Sequence, residues 1–264
     1  MRSITCPKGL HWRNNFFMEV HHHSHTERKK WTHYFWEFLM LFLAVFCGFL
    51  AEYQLEHTIE HQREKQFMIS MVEDLGKDIQ LLKGESQSVM EQFNGLDSIV
   101  EIINEGTLGK SAVKKMYALQ RKFLYPLTLE LINRTEIQLK NAGGMRLIRN
   151  REVSDSIINY WQLKERFNET KEAINGHRIK AKDLSFILFN NKFYSKERTD
   201  FSFGDFIDEP ELMTKDLSVL TEFANRVSHT SELLLLNYRQ RRLDILVHAA
   251  TRLIEVIKKE YHLK

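Results

Sequence analysis

The chain has 264 residues, with 38 Lys and Arg against 35 Asp and Glu, for a formal net charge of +3. The two signs are interspersed, without the single-signed stripe that a nucleic-acid groove demands, so no nucleic-acid partner is expected. Only 3 Pro and 11 Gly punctuate the text, which favours long helices over a turn-rich β fold.

The chain opens with an aperiodic stretch, residues 1–17, and then changes character at Met18. The text from Met18 to Trp31 holds His21, His22, His23 and His25, followed by Arg28, Lys29 and Lys30. This change suggests that Met18 is the natural start and that residues 1–17 come from a misplaced start codon; the alternative is a true, disordered extension. In a flexible arm the four histidines would bind transition metals loosely at most.

Residues 34–51 form an apolar run in which Glu37 is the single charged residue. Eighteen helical residues span roughly 27 Å, enough for the thinner range of hydrocarbon cores. Trp31, Tyr34 and Trp36 lie at its N-terminal edge, where amphipathic rings favour the interface, and Glu37 sits one turn inside it. No small-x-small cleavage site follows. Cys47 is preceded by bulky Phe46, which argues against a lipoprotein cysteine, so an uncleaved signal-anchor is expected. Arg28, Lys29 and Lys30 precede the run, whereas Glu52, Glu56 and Glu60 follow it before Arg63 and Lys65. Positive charge marks the cytoplasmic side. The expectation is a cytoplasmic segment over residues 1–33, a transmembrane helix over 34–51, and an extracytoplasmic domain over 52–264, in a bacterial inner membrane. With cysteine only at Cys6 and Cys47, the soluble part has no disulfide framework and no CxxC redox or zinc site.

Met68, Val72, Leu75, Ile79, Leu82, Ser86, Val89, Phe93, Leu96, Val100 and Ile103 then alternate by four and three residues. This repeat defines one continuous coiled-coil-like seam. Ile69, Met71, Met90, Ile99 and Ile102 widen it beyond a two-stranded stripe, as a bundle core requires. No breaker separates this seam from the apolar run, so one helix is predicted from about Tyr34 to Asn104, closed by Gly106 in a left-handed cap. A second helical region is predicted from Lys110 to Asn141, broken near Tyr125 by Pro126 and ended by Gly143 and Gly144. Asn150 is a suitable N-cap for a third helix running to about Asn190, with Val153, Ile157, Tyr160, Leu163 and Phe167 inward. Residues 195–212 read as a Phe-rich loop. A last helix is predicted from about Thr214 to Tyr261, with Leu217, Leu220, Ala224, Val227, Ser231, Leu234 and Tyr238 in its seam. No strand pattern stands out. The fold class is therefore all-α: an N-terminal transmembrane helix continuing into a long-helix, antiparallel, four-helix-like bundle.

Chemistry-bearing motifs are sparse. His57, Glu60 and His61 match the HxxEH pattern, in which two histidines one helical turn apart hold zinc and the glutamate activates water. They are the candidate metal residues, although no third ligand is evident, and a solvated charged stretch is the competing reading. Arg146, Arg149 and Arg151, near a helix start, could hold an anion or form a solvated basic turn. Arg239, Arg241 and Arg242 read as a charged face. There is no P-loop, GxGxxG, GxSxG or kinase signature, and no cofactor is expected.

The stretch from Met18 through Ser70 carries His21–His23, Arg28-Lys29-Lys30-Trp31 and Phe35-Trp36-Glu37-Phe38, and then Glu60 to Lys65. It resembles an uncharacterised family of single-pass membrane proteins from Bacteroidota. Residues Thr135 to Trp161, with Leu139-Lys140-Asn141, Gly143 and Leu147-Ile148, resemble that family's later helix-turn-helix segment. The resemblance implies a membrane anchor and supports Met18 as the start; it implies no catalytic residues. The functional expectation is a membrane-anchored, non-enzymatic helical module for protein interaction, scaffolding or sensing. Its partners would be the lipid bilayer and another protein or a second copy. The alternatives are a membrane-bound zinc hydrolase built on His57, Glu60 and His61, or an accessory subunit of a transporter or envelope complex.

Overall fold

The computed structural model describes residues 30–141, 143–194 and 209–263. Over these residues the chain is predominantly helical and has no β-strand; Phe189 and Leu212 form an isolated antiparallel bridge. It divides into two compact units, with the boundary between His57 and Thr58.

In the first unit the described residues are helical and form the beginning of α1 (Trp31–Glu105). The run predicted to cross a membrane is there, and none of its most apolar 18-residue window is buried by other protein. Phe38, Phe42 and Phe46 recur every fourth residue, so their rings stack along one side at 6.2 and 5.8 Å. Glu37 pairs with His33 one turn earlier at 3.1 Å. A mostly apolar helix left uncovered by the other described residues is stable in an apolar surrounding, where its backbone hydrogen bonds are satisfied internally.

The second unit holds the rest of α1, then α2 (Lys110–Phe123), α3 (Arg134–Asn141), a 3-10 turn (Gly144–Leu147) and α4 (Arg151–Leu188). α5 (Leu217–Glu232), a π-helical segment (Leu233–Leu243) and α6 (Asp244–Tyr261) follow as one uninterrupted helical pass. Four passes alternate in direction. α1 ends at Gly106, whose φ of +68° suits glycine. The chain then returns antiparallel along α1, placing Phe123 against Gly95, Ile132 against Asp78, Thr135 against Asp74 and Arg149 against Glu64. α4 starts at Asn150, whose side chain accepts the Val153 N–H at 3.1 Å, and runs parallel to α1. The last pass starts at Asp216, which caps the Ser218 N–H at 2.8 Å, and runs antiparallel to both. Phe167 stacks on Tyr238 at 5.2 Å, and Phe189 meets Phe223 at 5.7 Å. This is the antiparallel, four-helix-like arrangement that the long helices and short connections imply.

Three details depart from the sequence expectation. The second pass is not a helix with a local break: α2 stops at Phe123 and helix resumes only at Arg134. Residues 124–133 between them are a non-helical strap that begins with bends at Leu124 and Tyr125. Pro126 disfavours helix at Tyr125, and Leu127, Leu129 and Leu131 then alternate with Thr128 and Glu130, turning inward every second residue. Leu217, placed in the seam of the last helix, is 73% exposed because it lies in the first turn, directly after the capping Asp216. The seam of α1 is also rotated from the one the apolar residues mark. Met68, Leu75, Leu82, Val89, Leu96 and Ile103 are buried as expected, but Val72, Ile79, Ser86, Phe93 and Val100 are only half-buried. The other half of the buried stripe is Glu64, Met71, Asp78 and Ile99, where polar residues interrupt the apolar pattern.

Candidate functional site

The residues of the HxxEH match lie on α1. His57 is exposed, its ring 6.5 Å from that of Tyr53. Glu60 faces the Arg149 guanidinium at 3.4 Å. His61 Nδ1 lies 3.3 Å from Glu64 Oε2. Glu64, 3% exposed, also accepts the Arg149 backbone N–H at 3.0 Å and the Tyr261 hydroxyl at 2.6 Å. Glu60 and His61 are thus held in contacts that fasten the return pass and the end of α6 to α1. Among the described residues, no group of three or more His, Cys, Asp or Glu side chains is arranged to hold a metal ion. His21, His22, His23, His25 and Cys6 lie outside the described residues, and Cys47 is exposed on the apolar part of α1.

Of the basic group near the start of α4, Arg146 is exposed, while Arg149 and Arg151 make ion pairs. Arg149 makes the contacts just given, and Arg151 pairs along the helix with Asp155 at 3.5 Å. The first turn of α4 is capped by its own Asn150. On the last pass, Arg239 donates to Ser86 Oγ at 3.1 Å and Arg242 to Thr170 Oγ1 at 2.8 Å. These two arginines join passes rather than forming a solvated face; Arg241 is exposed.

The most elaborate polar arrangement is one the motifs did not mark. An extended segment inside a bundle has no ladder partner, so its backbone groups need side-chain partners. α4 supplies most of them. Lys164 donates to Ile132 O at 2.7 Å and Lys171 to Leu129 O at 2.9 Å. Asn175 accepts the Leu127 N–H at 2.7 Å and donates to Leu127 O at 3.1 Å. Arg178 donates to Phe123 O at 3.0 Å and also to Tyr125 O and Gln92 Oε1. From the other side, Asp78 of α1 accepts the Ile132 N–H at 2.7 Å, and Asp74 accepts the Thr135 N–H at 3.0 Å and its hydroxyl at 2.6 Å. Side chains of α1 and α4 thus hold the strap at Tyr125, Leu127, Leu129 and Ile132, and Asp74 holds the start of α3 at Thr135.

Burial governs the charges in this clamp. Desolvation raises the Asp78 carboxyl above the usual range, against the opposing pull of the Ile132 N–H, the Tyr160 hydroxyl and Lys164. Glu85 is likewise raised by desolvation, with Tyr238, Arg178 and Lys171 opposing. Arg178 is drawn down to about 10 by desolvation, with Glu85 acting the other way. Glu136 goes down: burial would raise it, but Lys140 and Lys164 outweigh burial.

The sequence did carry a signal for these residues. Val153, Ile157, Tyr160, Lys164, Phe167, Lys171, Ile174, Arg178, Ala181, Ser185 and Leu188 keep the four-three spacing, and all are buried. The stripe is masked because its middle positions are charged, and a reading that counts apolar residues alone stops at Phe167. An open cleft of about 500 Å³, lined by Gln120, Phe186 and Phe189 among others, opens beside α2 and α4. Its cations, Arg121 and Lys182, lie over the rings of Tyr194 and Tyr125 at 4.2 and 4.4 Å. No family model, curated protein or solved structure matches the chain.

Proposed function

We propose that the chain is a membrane-anchored, non-enzymatic helical module of the bacterial cell envelope, serving protein interaction, scaffolding or sensing. The observation that carries this reading is the uncovered apolar run at the start of α1, where the most apolar window has no buried residue. Soluble proteins rarely leave so large an apolar surface bare. Arg28, Lys29 and Lys30 before the run favour a cytoplasmic N-terminus, with residues 52–264 outside the inner membrane. A non-catalytic role is favoured by the use made of the polar side chains. Asp74, Asp78, Lys164, Lys171, Asn175 and Arg178 are spent on holding the strap, and Glu60 and His61 face Arg149 and Glu64. The likeness of Met18 to Ser70 to a family of single-pass membrane proteins is in keeping with this role. The partner is a protein of the envelope or a second copy.

Alkaline extraction of membranes from expressing cells tests the anchor: the chain should remain with the lipid pellet. Recovery of the intact chain in the supernatant would remove the anchor and the role together. Orientation is read with a single reporter cysteine at exposed Glu232 in a Cys6→Ala, Cys47→Ala background. A membrane-impermeant maleimide should label it in spheroplasts before lysis. Crosslinking in native membranes, followed by mass spectrometry, then identifies the partner.

A further inference from the structure

His177 on α4 and His229 on α5 come from antiparallel neighbouring passes, and their rings meet with centroids 4.8 Å apart at an interplanar angle of 72°. His177 is half-buried and His229 is exposed, so the pair opens to solvent. Two imidazoles bound to one tetrahedral ion, with metal–nitrogen distances of ~2.0–2.1 Å, have ring centres roughly 5 Å apart. We propose that His177 and His229 form a two-histidine site for a divalent transition metal, which ties α4 to α5 and leaves the ion's remaining positions to water.

Lys180 on α4 and Arg226 on α5 are the cations that face the pair. Arg226 is held by Glu222 at 2.7 Å, which offsets its repulsion of an incoming cation. With two nitrogen donors the affinity follows the general order for imidazole sites, copper(II) above nickel(II) and zinc(II). The site shares no residue with His57, Glu60 and His61, nor with the N-terminal histidines.

The test uses the full chain in detergent, untagged, with His21, His22, His23, His25, His57 and His61 changed to Ala to silence the other histidine groups. Zinc and copper(II) are titrated against a coloured chelator, and thermal unfolding is followed with and without metal. One ion should bind per chain, and His177→Ala and His229→Ala should each weaken binding by roughly tenfold or more. Metal should raise the unfolding temperature only when both histidines are present, because an ion that spans two helices binds the folded state alone. Copper bound at the pair should show nitrogen coupling from two imidazoles. Unchanged affinity in both single variants, or a metal effect on unfolding that survives them, would overturn the proposal. Should His177→Ala fail to fold, exposed His229→Gln gives the same reading with less disturbance of the packing.

Discussion

Asn175 condenses the way this bundle handles a stretch of chain that is not helical. One side-chain amide satisfies both the N–H and the C=O of Leu127, inside the bundle. Truncation to Ala leaves two buried backbone groups without partners, each worth about 1–3 kcal/mol. Asn175→Ala should therefore lower the unfolding free energy by about 2–4 kcal/mol in a denaturant titration. Asn175→Asp, which keeps the acceptor and loses the donor, should fall between. A loss below about 0.5 kcal/mol would mean that the strap is not fastened there. Glu85 carries a different prediction. Its folded-state pKa is raised, so the folded state holds the proton more tightly than the unfolded chain. That contribution is fully present below the unfolded carboxylate value and is lost as pH rises through the folded value. Glu85→Gln removes the loss. The variant should gain on the natural chain in unfolding free energy as pH is raised between about 4 and 7. A difference that stays flat or runs the other way would refute the raised value.

The last pass shows how one element can be legible in one half and obscure in the other. Its apolar seam reads cleanly to Tyr238, and the residues three and four further on are Arg241 and Arg242. The buried residue there is Leu243, and regular spacing resumes through Leu246, Ala250, Leu253 and Ile257. The five-residue step coincides with the π-helical segment Leu233–Leu243, which absorbs an extra residue within a turn. A local change in winding of this kind leaves no compositional trace, only a slip in phase. Deleting exposed Gln240 should restore a regular α-helical phase at a cost within about 2 kcal/mol. Deleting exposed Glu169 from the middle of α4 should rotate half of that helix by about 100° and cost more than about 4 kcal/mol. Equal penalties in a denaturant titration would show that the π segment is not a phase correction. The strap failed to register for a related reason. Leu127, Leu129 and Leu131 do alternate, but a single extended segment has no strand partner to corroborate it. The partners it does have are Lys164, Lys171 and Arg178, residue types that sequence reading assigns to the surface. The helix ends, by contrast, were readable from local chemistry. Gly106, lacking a Cβ, takes the left-handed cap, and the Asn150 side chain accepts its capping hydrogen bond.

At the scale of the whole molecule the two units differ in how far their side chains are buried. Residues 31–57 present mostly apolar side chains outward, and the side-chain contacts shown for them, such as the Phe38–Phe42–Phe46 stack and the His33–Glu37 pair, run along the helix itself. Residues 58–264 contain the buried core, which joins α1, α2, α4, α5 and α6 in one cluster. The bundle's polar clamps also lie within this unit: Glu64 with Tyr261, Asp78 with Ile132 and Tyr160, and Arg178 with Gln92. If the apolar run serves the membrane and not the bundle, its removal exposes no core surface and breaks none of these bonds. A chain of residues 58–264 should then be soluble without detergent, strongly helical by circular dichroism and cooperative in its unfolding. Its unfolding free energy should match that of the full chain in mild detergent to within about 1 kcal/mol, since residues without shared contacts contribute independently. The same logic makes Leu43→Asp in the full chain, a change in the exposed apolar run, weaken membrane retention while leaving the core formed by residues 58–264 unaltered. A fragment that aggregates or unfolds without a transition would show instead that the apolar run is needed to complete the bundle, as a core helix would be.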